Sequence, residues 1–265
     1  MPTPSTARLY DFTVFHNERI AEGIYSLKII CPELARTIRP GQFMNLAVPG
    51  NPASILRIPL SYCEADPVGG TVTLWYAVVG EGTARLARMA MAETSTLIGP
   101  AGHGWSAPAD CGRALLVAGG IGVPPVLCLA RELAREGVPF DVCMGAATAE
   151  KVVGEEGFRE LPGCGKIIVC TDDGSYGRAG FCTEPAAELL AAGGYGYAAT
   201  CGPSPMMKKV ADAAGRAGVY CEASLERMMS CGFGACATCV VGTTEGKKGV
   251  CMAGPVFDAS KVVEW

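Results

Sequence analysis

The sequence predicts a multidomain β + α/β chain in three parts: an antiparallel β-barrel, a parallel-sheet α/β domain and a small C-terminal cysteine module. Three observations carry that prediction. Short apolar runs broken by Pro and Gly turns fill residues 7–100, where helical periodicity is scarce. Apolar strands then alternate with amphipathic stretches over 111–222. Four cysteines close the chain at Cys231, Cys236, Cys239 and Cys251, spaced C-x4-C-x2-C-x11-C. The expected divisions are 1–105, 106–222 and 223–265.

Each element has a local reason. In the barrel, 24–30, 43–48 and 72–79 read as strands because β-branched and aromatic residues run between turn residues. Residues 83–92 read as one helix within it. In the α/β part, strands are expected at 114–118, 140–144, 166–170, 197–200 and 219–222, with helices at 124–135, 183–191 and 204–217. Gly137, Gly193 and Gly218 stand where helices end. The last segment is too short to bury a core of its own, so a bound metal group is expected to serve as that core.

Composition narrows the function. With 265 residues, 49% of them hydrophobic, the chain has ample core for two domains and an appendage. A net charge of −4 leaves no basic footprint for nucleic acid. No apolar run is long enough to span a membrane. Met1-Pro2-Thr3-Pro4-Ser5 lacks the charged and apolar regions of a signal peptide. Fourteen cysteines without an export signal point to a reducing cytoplasm, where most of them would be small buried hydrophobes.

The cysteine spacing matches the plant-type [2Fe–2S] ligand pattern. The loop between Cys231 and Cys236 holds Gly232, Gly234 and Ala235, which let backbone N–H groups approach an inorganic cluster. A structural zinc site, which favours two short-spaced pairs, and a set of disulfides or inert thiols remain as alternatives.

Two glycine turns point to a nucleotide. The strand 114–118 runs into Gly119-Gly120-Ile121-Gly122-Val123-Pro124-Pro125 and a helix. That arrangement presents amides and a helix dipole to a pyrophosphate. Cys201-Gly202-Pro203 follows a later strand and opens another helix. Both turns belong at the C-terminal edge of the sheet, where such sheets bind ligands. Each alone is equally a tight turn. Asp172, in Thr171-Asp172-Asp173-Gly174, is placed either to hold a ribose hydroxyl or to cap a solvated turn. No arginine follows 140–144, which favours NAD(H) over NADP(H), with Lys151 the nearest cation. Cys201 either lies near a nicotinamide–flavin stack or simply packs.

A hydride donor delivers two electrons and a [2Fe–2S] cluster accepts one, so a flavin is needed between them. Leu56-Arg57-Ile58-Pro59-Leu60-Ser61-Tyr62 offers a cation and a hydroxyl to such a cofactor. Trp75-Tyr76-Ala77-Val78-Val79-Gly80-Glu81-Gly82-Thr83 offers a glycine turn before a helix. Taken alone, Arg57 and Ser61 are ordinary surface residues. His16 and His103 belong to no acid–base set.

R-I-P-L-S, G-E-G-T, G-G-I-G-V-P-P, D-D-G-S-Y-G, C-G-P and C-G-x-G-x-C-x-x-C with G-P-V-F-D occur in this order. In that order they resemble the electron-transfer subunits of dihydroorotate dehydrogenase B, within the ferredoxin-reductase-like superfamily. The resemblance spans residues 8–265. It implies FAD in the barrel, held by Arg57, Ile58, Pro59, Leu60, Ser61, Trp75, Tyr76, Ala77, Gly82 and Thr83. It implies NAD(H) on the α/β domain, where Gly119, Gly120, Gly122, Asp172, Cys201, Gly202 and Pro203 would lie. Cys231, Cys236, Cys239 and Cys251 would ligate the cluster. The implied partner is an FMN-containing catalytic subunit in a heterotetramer of two copies each, oxidising dihydroorotate for pyrimidine biosynthesis.

One motif departs from that pattern. The family commonly reads R-R-P-x-S, whereas this chain has Ile58 three before the serine. R-I-P-L-S is similar to the flavin motif of small subunits of NADH-dependent ferredoxin:NADP oxidoreductase and sulfide dehydrogenase. Two further readings therefore stand beside the first: a related NAD(P)H flavoprotein feeding ferredoxin or sulfur, and a non-catalytic iron–sulfur nucleotide sensor.

Overall fold

The computed structural model describes residues 7–51, 56–108 and 110–265; Met1-Pro2-Thr3-Pro4-Ser5, read above for targeting, lies outside them. The first half is a seven-stranded antiparallel sheet built from β1 (Arg8–Ala21), β2 (Ile24–Ile30), β3 (Phe43–Leu46), β4 (Ile58–Ser61), β5 (Glu64–Asp66), β6 (Thr71–Ala77) and β7 (Thr94–Ala101). Its order is β4-β3-β7-β1-β2-β6-β5, and the sheet curls until β4 touches β6. Two short helices, α1 (Pro32–Thr37) and α2 (Glu81–Leu86), sit within it. Alternation decides the core. Val72, Leu74 and Tyr76 of β6 point inward with Leu27, Ile29, Met44 and Leu97, while Thr71, Thr73, Trp75 and Ala77 face outward.

The second half is a sheet of six parallel strands in the order β11-β10-β9-β8-β12-β13, with a C-terminal strand beside β13. Its parallel strands are β8 (Ala114–Gly119), β9 (Phe140–Ala146), β10 (Cys164–Thr171), β11 (Arg178–Ala179), β12 (Tyr197–Cys201) and β13 (Tyr220–Ser224). The covering helices are α3 (Val123–Glu136), α4 (Glu155–Arg159), α5 (Thr183–Ala192) and α6 (Ser204–Ala217). From β8 the chain winds outward through β9 and β10, then crosses to β12 and β13. The winding therefore reverses between β8 and β12, and a crevice opens there. Helix α3 begins with Pro124 and Pro125 in its first turn and ends on left-handed Gly137, as its sequence signals require.

The C-terminal segment carries a hairpin, β14 (Val240–Thr243) and β15 (Gly246–Gly249), then α7 (Val250–Ala253) and β16 (Val256–Asp258). It also packs on the α/β half. β16 pairs antiparallel with β13, at Glu222↔Asp258 and Ser224↔Val256. Cys239, Val241, Val250, Cys251 and Val262 join the apolar cluster under α5 and α6. No helix is long and apolar enough to cross a membrane among the described residues.

The joint between the halves is polar. Glu222 is 3% exposed, and its carboxylate accepts from the Ser106 amide (2.9 Å), Tyr197 (2.6 Å), Tyr220 (3.3 Å) and the Ser106 hydroxyl. Four neutral donors satisfy this buried carboxyl group and tie the connecting segment to β12 and β13.

Candidate functional site

The cysteine loop leaves β13 and runs along the barrel. Gly232 (φ +74°) and Gly234 (φ +90°) turn in the left-handed region, and neither has room for a side chain. A Cβ at 232 would collide with the Asn45 amide of β3, and one at 234 with Met252. The four thiols fall into two pairs. Cys231 and Cys236 lie together on the outer side, half-buried and exposed respectively; Cys239 and Cys251 lie together beneath, 3% and 2% exposed. N–H groups already aim at sulfur: Ala235 to Cys231 (3.3 Å) and Cys251 to Cys239 (3.4 Å). The Thr238 hydroxyl donates to Cys236 (3.2 Å). That bond first, then bonds from Cys231, draw the Cys236 thiol down to about 6, whereas burial and Cys239 push Cys251 up to about 12. No three cysteine, histidine or carboxylate side chains converge on a single-ion site among the described residues. The ten other cysteines form no disulfide, and all but Cys164 are buried.

The nucleotide motifs meet in the crevice between β8 and β12. The two glycine turns touch backbone to backbone. A Cβ on Gly122 would strike the Cys201 carbonyl, and one on Gly202 would lie 3.0 Å from Gly119. A cleft of about 780 Å³ opens over them, lined by Gly119, Gly120, Asp172 and Pro203 from the sheet and by Ala77, Val78 and Val79 from the barrel. Gly122, Cys201 and Gly202 lie behind the lining rather than in it. Cys201 is 2% exposed, and burial pushes its thiol well up, so it packs as an inert core residue. Asp173 is spent on a turn, accepting from the Ser175 amide (3.0 Å) and hydroxyl (2.6 Å), which leaves Asp172 as the member of the acidic pair that faces the cleft. Lys151, Phe181 and Lys209 also line it, the Lys209 ammonium standing 5.3 Å above the Phe181 ring. Sequence reasoning missed Phe181 and Lys209. The one signal available was a lysine on the first turns of α6.

The barrel motifs are adjacent too. Gly82 packs on Ile58, the space for its Cβ lying 3.4 Å from that side chain, so the first turn of α2 meets β4. Arg57 donates to the Thr96 carbonyl and hydroxyl (3.1 Å each) and to the Asn45 carbonyl (3.5 Å), which fixes its guanidinium at the head of β4. Pro59 is exposed and Leu60 and Ser61 are half-buried on this edge strand. Thr83 accepts from the Val79 and Gly80 amides (3.0 and 3.2 Å) and shapes the turn. The Tyr76 side chain is 1% exposed and points into the barrel core, donating to Asn17 (3.2 Å), because it shares the inward phase of Val72 and Leu74. The Trp75 ring leans on Gly154 of the α/β half. Only the main chain of Tyr76 is free to meet a cofactor.

A family model described as the iron–sulfur cluster binding domain of dihydroorotate dehydrogenase B matches residues 226–263. The chain is 40% identical to the electron transfer subunit of dihydroorotate dehydrogenase B (NAD(+)) of Geobacillus thermodenitrificans, over 95% of this chain and 97% of that one. The chain belongs to the family of dihydroorotate dehydrogenase B electron-transfer subunits. Among solved structures it is similar to an NADH-dependent reduced ferredoxin-NADP oxidoreductase, with a TM-score of 0.86, 27% identity and coverage of 95% and 89%. It shares its fold with the ferredoxin reductase of a carbazole 1,9a-dioxygenase, with a TM-score of 0.65, 18% identity and coverage of 80% and 67%.

Membership in this family brings a [2Fe–2S] cluster, FAD and NAD(H) to the chain. The local chemistry fits them. N–H and O–H donors aimed at cysteine sulfur favour thiolate, the form that binds iron. The glycine turns bring main chain to the crevice at a helix start, as a pyrophosphate requires.

Proposed function

We propose that this chain carries electrons between a catalytic partner that oxidises dihydroorotate and NAD⁺. The observation that carries the reading is the position of the cysteine loop, exposed at Cys236 and packed at Gly232 on barrel strand β3. One face of the loop is open to a partner while the other adjoins the flavin motif. When bound, the cluster passes single electrons, and FAD collects two for exchange with the nicotinamide.

The residues divide the work. Cys231 with Cys236, and Cys239 with Cys251, would each hold one of two irons; the pairing of their thiols supports this. Arg57, Ile58, Pro59, Leu60 and Ser61, with the main chain of Trp75, Tyr76 and Ala77 and the turn at Gly82 and Thr83, would hold FAD. Gly119, Gly120 and Pro203 would cradle the NAD(H) pyrophosphate, with Gly122, Cys201 and Gly202 setting the spacing of the two turns from behind. Asp172 would accept from a ribose hydroxyl. Residues 1–105, 106–222 and 223–265 would be the flavin, nicotinamide and cluster regions. The partner is read as FMN-containing, in an assembly of two copies of each subunit, and thiols that form no disulfide suit a cytoplasmic setting.

Co-purification from the native cell tests this. The expected outcome is a partner with its own flavin spectrum that confers dihydroorotate-dependent NAD⁺ reduction. A partner that reduces ferredoxin or sulfur instead would reject it in favour of the relatives that share R-I-P-L-S.

A further inference from the structure

The side chain of Asn45 has no role in the reading above. It sits on β3 at 2% exposure, and its amide nitrogen has no hydrogen-bond partner in the protein. A buried, unpaired NH₂ group costs about 1–3 kcal/mol, so natural chains keep one only with a partner. The main chain around it is engaged: the Asn45 carbonyl accepts from Arg57, and the strand is paired on both sides, with Pro59 and Ile98 opposite. The side chain faces the cysteine loop, pressed on Gly232 where a Cβ would collide with it. Gly232 separates Cys231 from the rest of the loop, and the Ala235 and Cys251 amides already donate to cysteine sulfurs there.

We infer that the Asn45 side-chain amide donates a hydrogen bond to a sulfur of the bound cluster, either a cysteine thiolate or an inorganic sulfide, and raises its reduction potential. The inference rests on the proposed ligation by Cys231, Cys236, Cys239 and Cys251. Cluster sulfurs only accept hydrogen bonds, and N–H donors to sulfur stabilise the more negative, reduced state. Asn45 is thus a tuning residue contributed by the flavin half to a cluster held by the C-terminal segment.

The chain has only three asparagines, which makes a clean test possible. Asn17 is committed to the Leu86 and Met89 carbonyls (2.9 and 3.0 Å), and Asn51 lies in a surface turn. The full chain is purified anaerobically with its cluster, from cells supplied with asparagine labelled with ¹⁵N in the side chain. Pulsed electron paramagnetic resonance of the reduced cluster then reads the coupling. The expected result is a weak ¹⁵N coupling that is absent from Asn45→Leu. At unchanged iron content, Asn45→Leu has a lower midpoint potential, and Asn45→His, which keeps an N–H donor, returns toward the parent. A clear cluster signal without ¹⁵N coupling, or a loaded Asn45→Leu chain at the parental potential, overturns the inference. If Asn45→Leu does not load, the parental coupling decides alone. A parental chain with no cluster signal overturns the ligand assignment itself, and the inference with it.

Discussion

Gly232 and Asp172 illustrate two kinds of site residue, one fixed by space and one by charge. Gly232→Ala must place a methyl group against the Asn45 amide at a φ of +74°, a conformation that costs roughly 1–2 kcal/mol for an L-residue. The expected outcome is a chain that folds but holds substoichiometric iron, measured as iron per polypeptide. Asp172→Ala should raise the KM for NAD⁺ about tenfold, the worth of one hydrogen bond to a charged group, and leave the cluster and flavin spectra unchanged. An unaltered KM would remove Asp172 from the site. The cysteines and glycines were legible in the sequence because each answers a requirement that few residues meet. Asn45 was not legible, since its meaning lies in a contact with residue 232. The inward direction of the Tyr76 side chain could also be read, from its phase with Val72 and Leu74.

At the scale of elements, short-range rules placed the strands and helices well, and contacts distant in sequence set what they missed. The expected helix at 83–92 is Glu81–Leu86, begun by the Gly80 and Thr83 capping pair and followed by a turn in which Glu93 accepts from the Ala90 amide and Ala92 is left-handed. The C-terminal segment was expected to need its metal group as a core. Its strand β16 also completes the main sheet, a pairing between residues over thirty apart that no local pattern reveals. Removing the iron with a chelator should therefore leave the far-ultraviolet circular dichroism nearly unchanged and abolish only visible cluster absorbance. The joint at Glu222 makes the opposite prediction. Glu222→Ala strips four donors of their acceptor and should lower stability by about 3 kcal/mol in denaturant unfolding.

For the whole molecule, three sequence-distant motif groups converge. The flavin strand β4, the crevice between β8 and β12, and the cysteine loop are linked through Gly82 on Ile58, Ala77 at the cleft, and Gly232 on Asn45. The order of the two large halves could be read from texture, because alternating strands and βαβ units differ in period. Their mutual placement could not, because polar ties such as Glu222 to Ser106 and ring contacts such as Trp75 on Gly154 have no local signature. The central claim is that electrons reach NAD⁺ from the partner by way of the cysteine loop. The most direct measurement compares the parental chain and Cys236→Ser, each assembled anaerobically with the catalytic partner, for NADH formed on adding dihydroorotate. The expected result is NADH from the parental complex and almost none from Cys236→Ser, which still oxidises NADH with an artificial dye. Undiminished NADH from the Cys236→Ser complex would contradict it.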